Sequence, residues 1–201
     1  ILSRLVAEYQ SYSRHYHTLE HVAEFIDHYR RLTPKPAAAH GIDDATFRLA
    51  IYFHDAIYDV TAKDNEEKSA DWLRTQCGAQ AVDDAVIAKA CRYVMATKHL
   101  GGGPRDLLPD EAYFADLDLA ILGAPAERYR RYADDIRREY HQFDDASYAN
   151  GRAGALRHLA GVTPVFATIG RSLSVPSDWE VRARANIAAE IATLSSEAKR
   201  G

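Results

Sequence analysis

An adjacent pair, His54-Asp55, lies inside the apolar run Ile51-Tyr52-Phe53-His54-Asp55-Ala56-Ile57-Tyr58. An imidazole and a carboxylate are costly to bury together unless something positive sits between them. A divalent cation is the simplest such group, and a nitrogen and oxygen donor pair suits magnesium or the borderline first-row metals. Upstream, His17 and His21 form His-x3-His; on a helix this spacing puts both rings on one face a turn apart, a common zinc arrangement. His15 and His28 belong to the same short stretch. His28 returns to that face about 16 Å along the axis from His17, too far to serve the same ion, and reads as a surface or packing residue. Downstream lies Ala115-Asp116-Leu117-Asp118-Leu119. In a regular helix its two carboxylates point about 200° apart, so one is expected to face the core and the other to be exposed or paired with an arginine. His99 is the only histidine between Asp55 and Asp116.

The elements that must position these groups all read as helices. Leu2, Leu5, Val6 and Tyr9 mark a first one, ending in Ser11-Tyr12-Ser13-Arg14. A second is expected from His17 to Arg31, with Val22, Phe25, Ile26 and Tyr29 on one face, closed by Pro34 and Pro36. After a connector from Ala37 to Gly41, Asp43 is a good N-cap for the helix carrying Phe47, Ala50, Ile51 and His54. A polar loop, a helix from Asn65 to Gln76 stopped by Gly78, and a helix begun by Asp83 follow. Gly101-Gly102-Gly103 lacks a Gly-Lys-Ser/Thr ending and a preceding strand, so it reads as a flexible surface connector and not a phosphate loop. Pro109-Asp110-Glu111 opens the helix with Phe114, Asp116, Asp118 and Ile121, stopped by Gly123. Next comes a helix with a buried stripe of Tyr129, Tyr132, Ile136 and Tyr140, where most of Arg128, Arg130, Arg131 and Arg138 should form a solvated face. Two more helices, Ala146 to Leu159 and Asp178 onward, flank an apolar turn near Val165-Phe166. No convincing alternating strand pattern, repeat or low-complexity linker interrupts them. The expectation is one all-α domain over residues 1–201.

That length suffices for a full core. A net charge of -4 argues against a nucleic-acid binder. No apolar run is long enough to span a bilayer, nothing resembles a signal peptide, and Cys77 and Cys91 lack a partner motif, so a cytoplasmic, reducing setting is expected. With Ile1 where a methionine would start a chain, a missing or removed N-terminus is expected.

Taken in order, the chain offers His, His-Asp, His and Asp on successive helices. It resembles the HD-domain metal-dependent phosphohydrolase superfamily, and most closely the stand-alone predicted HD phosphohydrolases with Arg-x-Tyr-His-x3-His. The matching pieces are Arg14-His15-Tyr16-His17-Thr18-Leu19-Glu20-His21, Phe53-His54-Asp55-Ala56-Ile57-Tyr58, Asn65-Glu66-Glu67-Lys68-Ser69-Ala70 and Thr97-Lys98-His99. Further pieces are the stretches from Asp116 to Gly123 and from Ile136 to Tyr140, Gly151-Arg152, and Ala183-Arg184-Ala185-Asn186.

The resemblance implies a single HD-type helical bundle and a phosphoester hydrolase acting on a small phosphorylated metabolite or nucleotide through a metal-activated water. Carried over by position, His21, His54, Asp55 and one of Asp118 and Asp116 would hold a divalent ion (Mn, Mg, Fe, Zn, Co or Ni), with His99 as a further candidate. Asp118 is preferred because Asp118-Leu119-Ala120 is closer to the family's Asp-Leu-small pattern. The Tyr16-His17-x3-His21 piece also resembles the opening motif of cyclic-nucleotide phosphodiesterases, which implies His17 as the acid protonating the leaving group. Asp55 could help deprotonate the water. Arg14, Arg137, Arg152, Arg184, Lys98 and Glu66 are the candidate substrate contacts, Arg14 foremost. Two other readings are a di-iron oxygenase on the same scaffold, which would want more histidines than His99 in the middle of the chain, and a non-catalytic metabolite-binding module keeping the metal for stability.

Overall fold

The computed structural model describes residues 2–100, 103 and 106–197. Among them the fold is all-α: α1 Leu2–Tyr9, α2 Leu19–Leu32, α3 Asp44–Phe53, α4 Asn65–Gly78, α5 Asp84–Ala96, α6 Pro109–Asp118, α7 Ala126–Glu139, α8 Asp145–Gly161 and α9 Ser177–Glu197. Short 3₁₀ turns run over Ala37–His40 and Leu119–Gly123. No described helix is long and apolar enough to cross a membrane. Gly101 and Gly102 of the expected connector, and the chain beyond Glu197, lie outside the described residues.

Side-chain caps set the helix starts. Asp43 accepts from the Thr46 backbone at 2.8 Å, Asp83 from that of Ala85 at 2.8 Å, and Asp144 from that of Ser147 at 2.8 Å. α6 starts on Pro109, and Glu111 reaches back to the backbone N–H of Leu108. Beneath the candidate ligands lies an aromatic floor: Tyr29 stacks on Phe47, Tyr93 stacks on Phe114, and Phe25 meets both Phe114 and His54. α4 and α3 pack on α5, while α8 packs on α9.

Two of the boundaries that differ from expectation bear on the site. α2 begins at Leu19 and not at His17, because the Thr18 hydroxyl caps it through the Glu20 N–H and the N–H groups of residues 15–17 bond elsewhere. His17 therefore precedes the helix, and it is a turn that brings it near His21. The helix expected to run to Gly123 tightens into 3₁₀ after Asp118. There Asn186 of α9 donates to the carbonyls of Leu122 and Ala124, both at 2.9 Å. Of the expected α7 stripe, Tyr129, Tyr132 and Ile136 are buried and Tyr140 half-buried. Arg128 departs from the solvated face: it is half-buried and forks onto Glu24 of α2.

Gly123 is where α9 presses closest. A Cβ built there would lie 2.6 Å from the Trp179 Cβ and 3.0 Å from its Cα. Gly123→Ala is expected to push α9 outward and cost about 1–3 kcal/mol, as overpacking does. Urea unfolding should show a lower midpoint at unchanged slope.

Candidate metal centre

α2, α3 and α6 each deliver a ligand-type side chain to one point. His21 comes from the first turn of α2, His54 caps the C-terminus of α3 with Asp55 following, and Asp118 is the last residue of α6. One ligand atom from each of the four lies within 4.8 Å of the others, and among the described residues no other such group occurs. The Nε2 atoms of His21 and His54 stand 3.0 Å apart. Asp55 Oδ2 lies 3.0 Å from His54 Nε2, and Asp118 Oδ1 lies 3.2 Å from His21 Nε2. His54 donates its Nδ1–H to the Ile51 carbonyl at 2.8 Å, which turns a neutral ring's Nε2 lone pair toward the cluster. Two imidazole nitrogens this close need a proton or a cation between them.

The electrostatics make the same demand. Burial alone would raise the Asp55 carboxyl, but the facing His54 imidazole outweighs it and holds the group well below its ordinary range. Asp118 is likewise depressed against its burial, by hydrogen bonds from His21, His54 and His99. Burial opposes charge on His54, yet Asp55 and Asp118 raise its pKa well above the ordinary value. Two ionised carboxylates thus draw one positive charge into the site. The donor set, two nitrogens and two carboxylates, fits a divalent first-row ion.

The two aspartates of α6 part company. Asp118 joins the cluster, its Oδ2 facing His99 Nε2 at 2.9 Å. Asp116, the runner-up ligand, is only 2 % exposed and accepts from the N–H groups of Ala167 (2.9 Å) and Thr168 (2.8 Å) and from the Thr168 hydroxyl (2.5 Å). It is neither exposed nor arginine-paired, because a buried loop supplies its donors. Burial raises its pKa despite those bonds.

His17 lies beside the cluster and outside the ligand set, its ring centroid 6.0 Å from that of His21. It stacks on Tyr58 at 4.0 Å, and its Nδ1 meets Glu139 Oε2 at 2.7 Å. The other oxygen of Glu139 accepts from the backbone N–H groups of His15, Tyr16 and His17 at 2.8, 2.8 and 2.9 Å. Burial would lower the His17 pKa, but the charge and hydrogen bond of Glu139 outweigh it and raise it. Glu139, which burial alone would raise, is pulled down to about 2, chiefly by His17.

The candidate substrate contacts are placed differently from expectation. Arg14 is buried, and its guanidinium donates to the backbone carbonyls of His17 (3.2 Å), Asp55 (2.6 Å) and Ala56 (3.0 Å). It clamps two loops and does not present itself to a phosphate. Arg137 holds the Tyr140 and Phe143 carbonyls and Asp145; Arg152 forks onto Glu190; Arg184 pairs with Glu180. These three are tied within α7, α8 and α9 by partners outside the cluster. Lys98 pairs with Glu67 and the Lys63 carbonyl. Glu66 is half-buried and close enough to Lys98 and Asp55 to feel both, its pKa raised mainly by burial. Sequence reasoning missed Glu139 and Tyr58, although both sit inside the quoted motif stretches; a lone acid beside two arginines was the only hint of the first.

Fold and site together define an all-α protein with one buried cluster of two histidines and two aspartates that could hold a metal ion. Comparison with models of known protein families, with curated proteins and with solved structures gives no match.

Two outcomes follow from this geometry. Asp118→Ala is expected to abolish Mn²⁺ binding in calorimetry, whereas Asp116→Ala keeps it and lowers the melting temperature. In metal-free protein, the raised pKa of His17 adds stability present below its ordinary 6.5 and lost as pH rises through the folded value. The depressed pKa of Glu139 adds stability present above its ordinary 4.5 and lost as pH falls toward about 2. Their joint contribution is therefore greatest between 4.5 and 6.5. Glu139→Gln should lower the His17 pKa in an NMR titration and flatten that window.

Proposed function

We propose that this chain is a metal-dependent phosphohydrolase of the HD-domain superfamily, cleaving the phosphoester of a small phosphorylated metabolite or nucleotide into an alcohol and phosphate. One observation carries the reading. The four side chains expected as ligands converge, while His17 is held beside them by Glu139 and outside the set. His21, His54, Asp55 and Asp118 would hold the ion. When bound, the ion neutralises charge on phosphoryl oxygens and brings the pKa of water toward neutrality. With Nδ1 bonded to Glu139, Nε2 of His17 is the nitrogen left to carry the transferable proton, and Glu139 raises the pKa of the ring. The proton goes to the departing oxygen as its bond to phosphorus breaks and water supplies the new oxygen.

Access supports a small substrate. The side chains of Asp55, Asp118, His17 and His99 are 17, 14, 18 and 19 % exposed, so solvent reaches the cluster through a narrow opening. His99 alone does not furnish a second histidine-rich centre, and the described residues form one cluster, which favours this reading over a di-iron oxygenase.

Purified protein with Mn²⁺ is expected to hydrolyse p-nitrophenyl phosphate and small alkyl phosphates, and to stop when chelated. His17→Asn should retain the ion yet slow alkyl phosphates about 10²–10⁴-fold, the usual worth of positioned proton transfer. It should slow the nitrophenyl ester much less, since nitrophenolate leaves without a proton. Equal losses on both, with metal retained, would rule out the acid role; no hydrolysis with any divalent ion would rule out the activity.

A further inference from the structure

Glu139 fixes one atom of the His17 ring, with Nδ1 held at 2.7 Å. A single hydrogen bond leaves an imidazole free to tilt about it, and Nε2, across the ring, moves when it does. A second contact settles the plane. Tyr58 lies against the face of the ring, centroids 4.0 Å apart and planes 29° from parallel, while Tyr16 meets it edge to face at 4.9 Å. Tyr16 is the chain neighbour of His17 and moves with it; Tyr58 comes independently, from the loop after α3.

That loop is pinned on both sides of Tyr58. Ser69 of α4 serves both backbone groups of Ile57: its hydroxyl oxygen accepts from the N–H at 3.0 Å and donates to the carbonyl at 3.2 Å. Asn65 does the same for Asp59, accepting from its N–H at 3.0 Å and donating to its carbonyl at 2.9 Å. One residue earlier, Arg14 holds the Ala56 carbonyl at 3.0 Å. The backbone on either side of Tyr58 is thus tied to α4, and the place of the ring follows from it. Tyr58 itself is half-buried with its hydroxyl near Tyr140, and burial raises the phenol's pKa well above its ordinary value. At neutral pH it offers His17 an uncharged, electron-rich face.

We propose that Tyr58 is the positioning residue of His17: stacking sets the plane of the imidazole, which aims Nε2 at the departing oxygen, and the phenol face steadies the ring while it is protonated. The proposal rests on the phosphohydrolase reading and extends it to a residue outside the ligand set. Tyr58 moves no proton and holds no ion; it acts through His17.

The test compares wild type, Tyr58→Phe and Tyr58→Leu on p-nitrophenyl phosphate and glycerol phosphate with Mn²⁺, and follows the His17 Nδ1–H signal by NMR. Tyr58→Leu should keep the ion and KM, lower kcat on glycerol phosphate about 10–100-fold, the scale of a misplaced catalytic group, and barely slow the nitrophenyl ester. Tyr58→Phe keeps the aromatic face and should restore wild-type kcat on both. In a His17→Asn background, Tyr58→Leu should cost nothing further on glycerol phosphate, since residues that act as a unit are not additive. Where Tyr58→Leu fails to fold, Ser69→Ala, which unpins Ile57, should show the same selective loss. Equal losses on the two esters, a Phe variant as slow as the Leu variant, or a further loss in the His17→Asn background would overturn the positioning role while leaving the hydrolase in place. If wild type turns over neither ester, the hydrolase reading fails and the NMR signal decides the stacking role. An Nδ1–H signal that persists in wild type and Tyr58→Phe but exchanges away in Tyr58→Leu supports it, and the same behaviour in all three overturns it.

Discussion

Asp55 and Asp118 bring two negative charges to a place almost closed to water, and the surrounding structure is arranged to make that tolerable. Burial penalises each carboxylate, so the site must hold positive charge. The helices add to this demand. α3 and α6 both end at the cluster, and the C-terminus of a helix carries partial negative charge. The N-terminus of α2 works the other way, but the Thr18 hydroxyl already takes one of its N–H groups, that of Glu20, whose side chain adds a negative charge to that turn. Neutral imidazoles cannot balance this field; a protonated His54 can in part, and a divalent ion can more fully. The aromatic floor of Phe25 and Phe114 beneath His54 keeps water from sharing the task.

Outside the ligand set, two buried charges of opposite sign fix the irregular chain between α1 and α2. Segment 14–18 makes few helical hydrogen bonds, so its backbone groups need other partners. Glu139 takes three consecutive N–H groups, and Arg14 takes the His17 carbonyl together with those of Asp55 and Ala56. Arg14 is stabilised by backbone carbonyls, and Glu139 by His17 together with backbone N–H groups. The result joins three separate pieces of chain, α7, the entry to α2 and the exit from α3, at His17. Its position beside Asp55 is thereby set both through its backbone and through the Glu139 bond to its ring.

Much of this was legible in the sequence because local rules govern it. The caps Asp43 and Asp83 depend on residues within a turn of each other, whereas the glycine stop expected at Gly78 falls inside α4 and the left-handed residue that follows is Ala81. The grouping of His21, His54, Asp55 and Asp118 was legible through the family resemblance, which singled them out among the chain's histidines and aspartates. What was not legible depends on distant partners. Glu139 lies 122 residues from His17, and among the arginines of α7 it looks like one more surface charge. Arg14 has the chemistry of a phosphate contact, and residue type alone does not say that backbone carbonyls will claim its donors. The start of α2 shifted for the same reason: Glu139 withdraws the N–H groups that would have extended it.

The two aspartates of α6 show how one helix serves both the site and the seat of α9. The angle between alternate residues told that Asp116 and Asp118 must diverge, but it could not tell what Asp116 would find. On the face away from the cluster, Asp116 gathers the N–H groups of Ala167 and Thr168, and Glu180 gathers those of Val165 and Phe166. The loop so pinned carries Phe166 against Trp179, and Trp179 lies against Gly123, at the end of the 3₁₀ turn that follows Asp118. α6 and its extension thus hold the ligand on one side and set the seat of α9 on the other. A shift of α6 that moved Asp118 would also move the seat of α9 at Trp179. The position of Asp118 and the seat of α9 are therefore coupled through α6, and buried Asp116 pins the loop that lies between them.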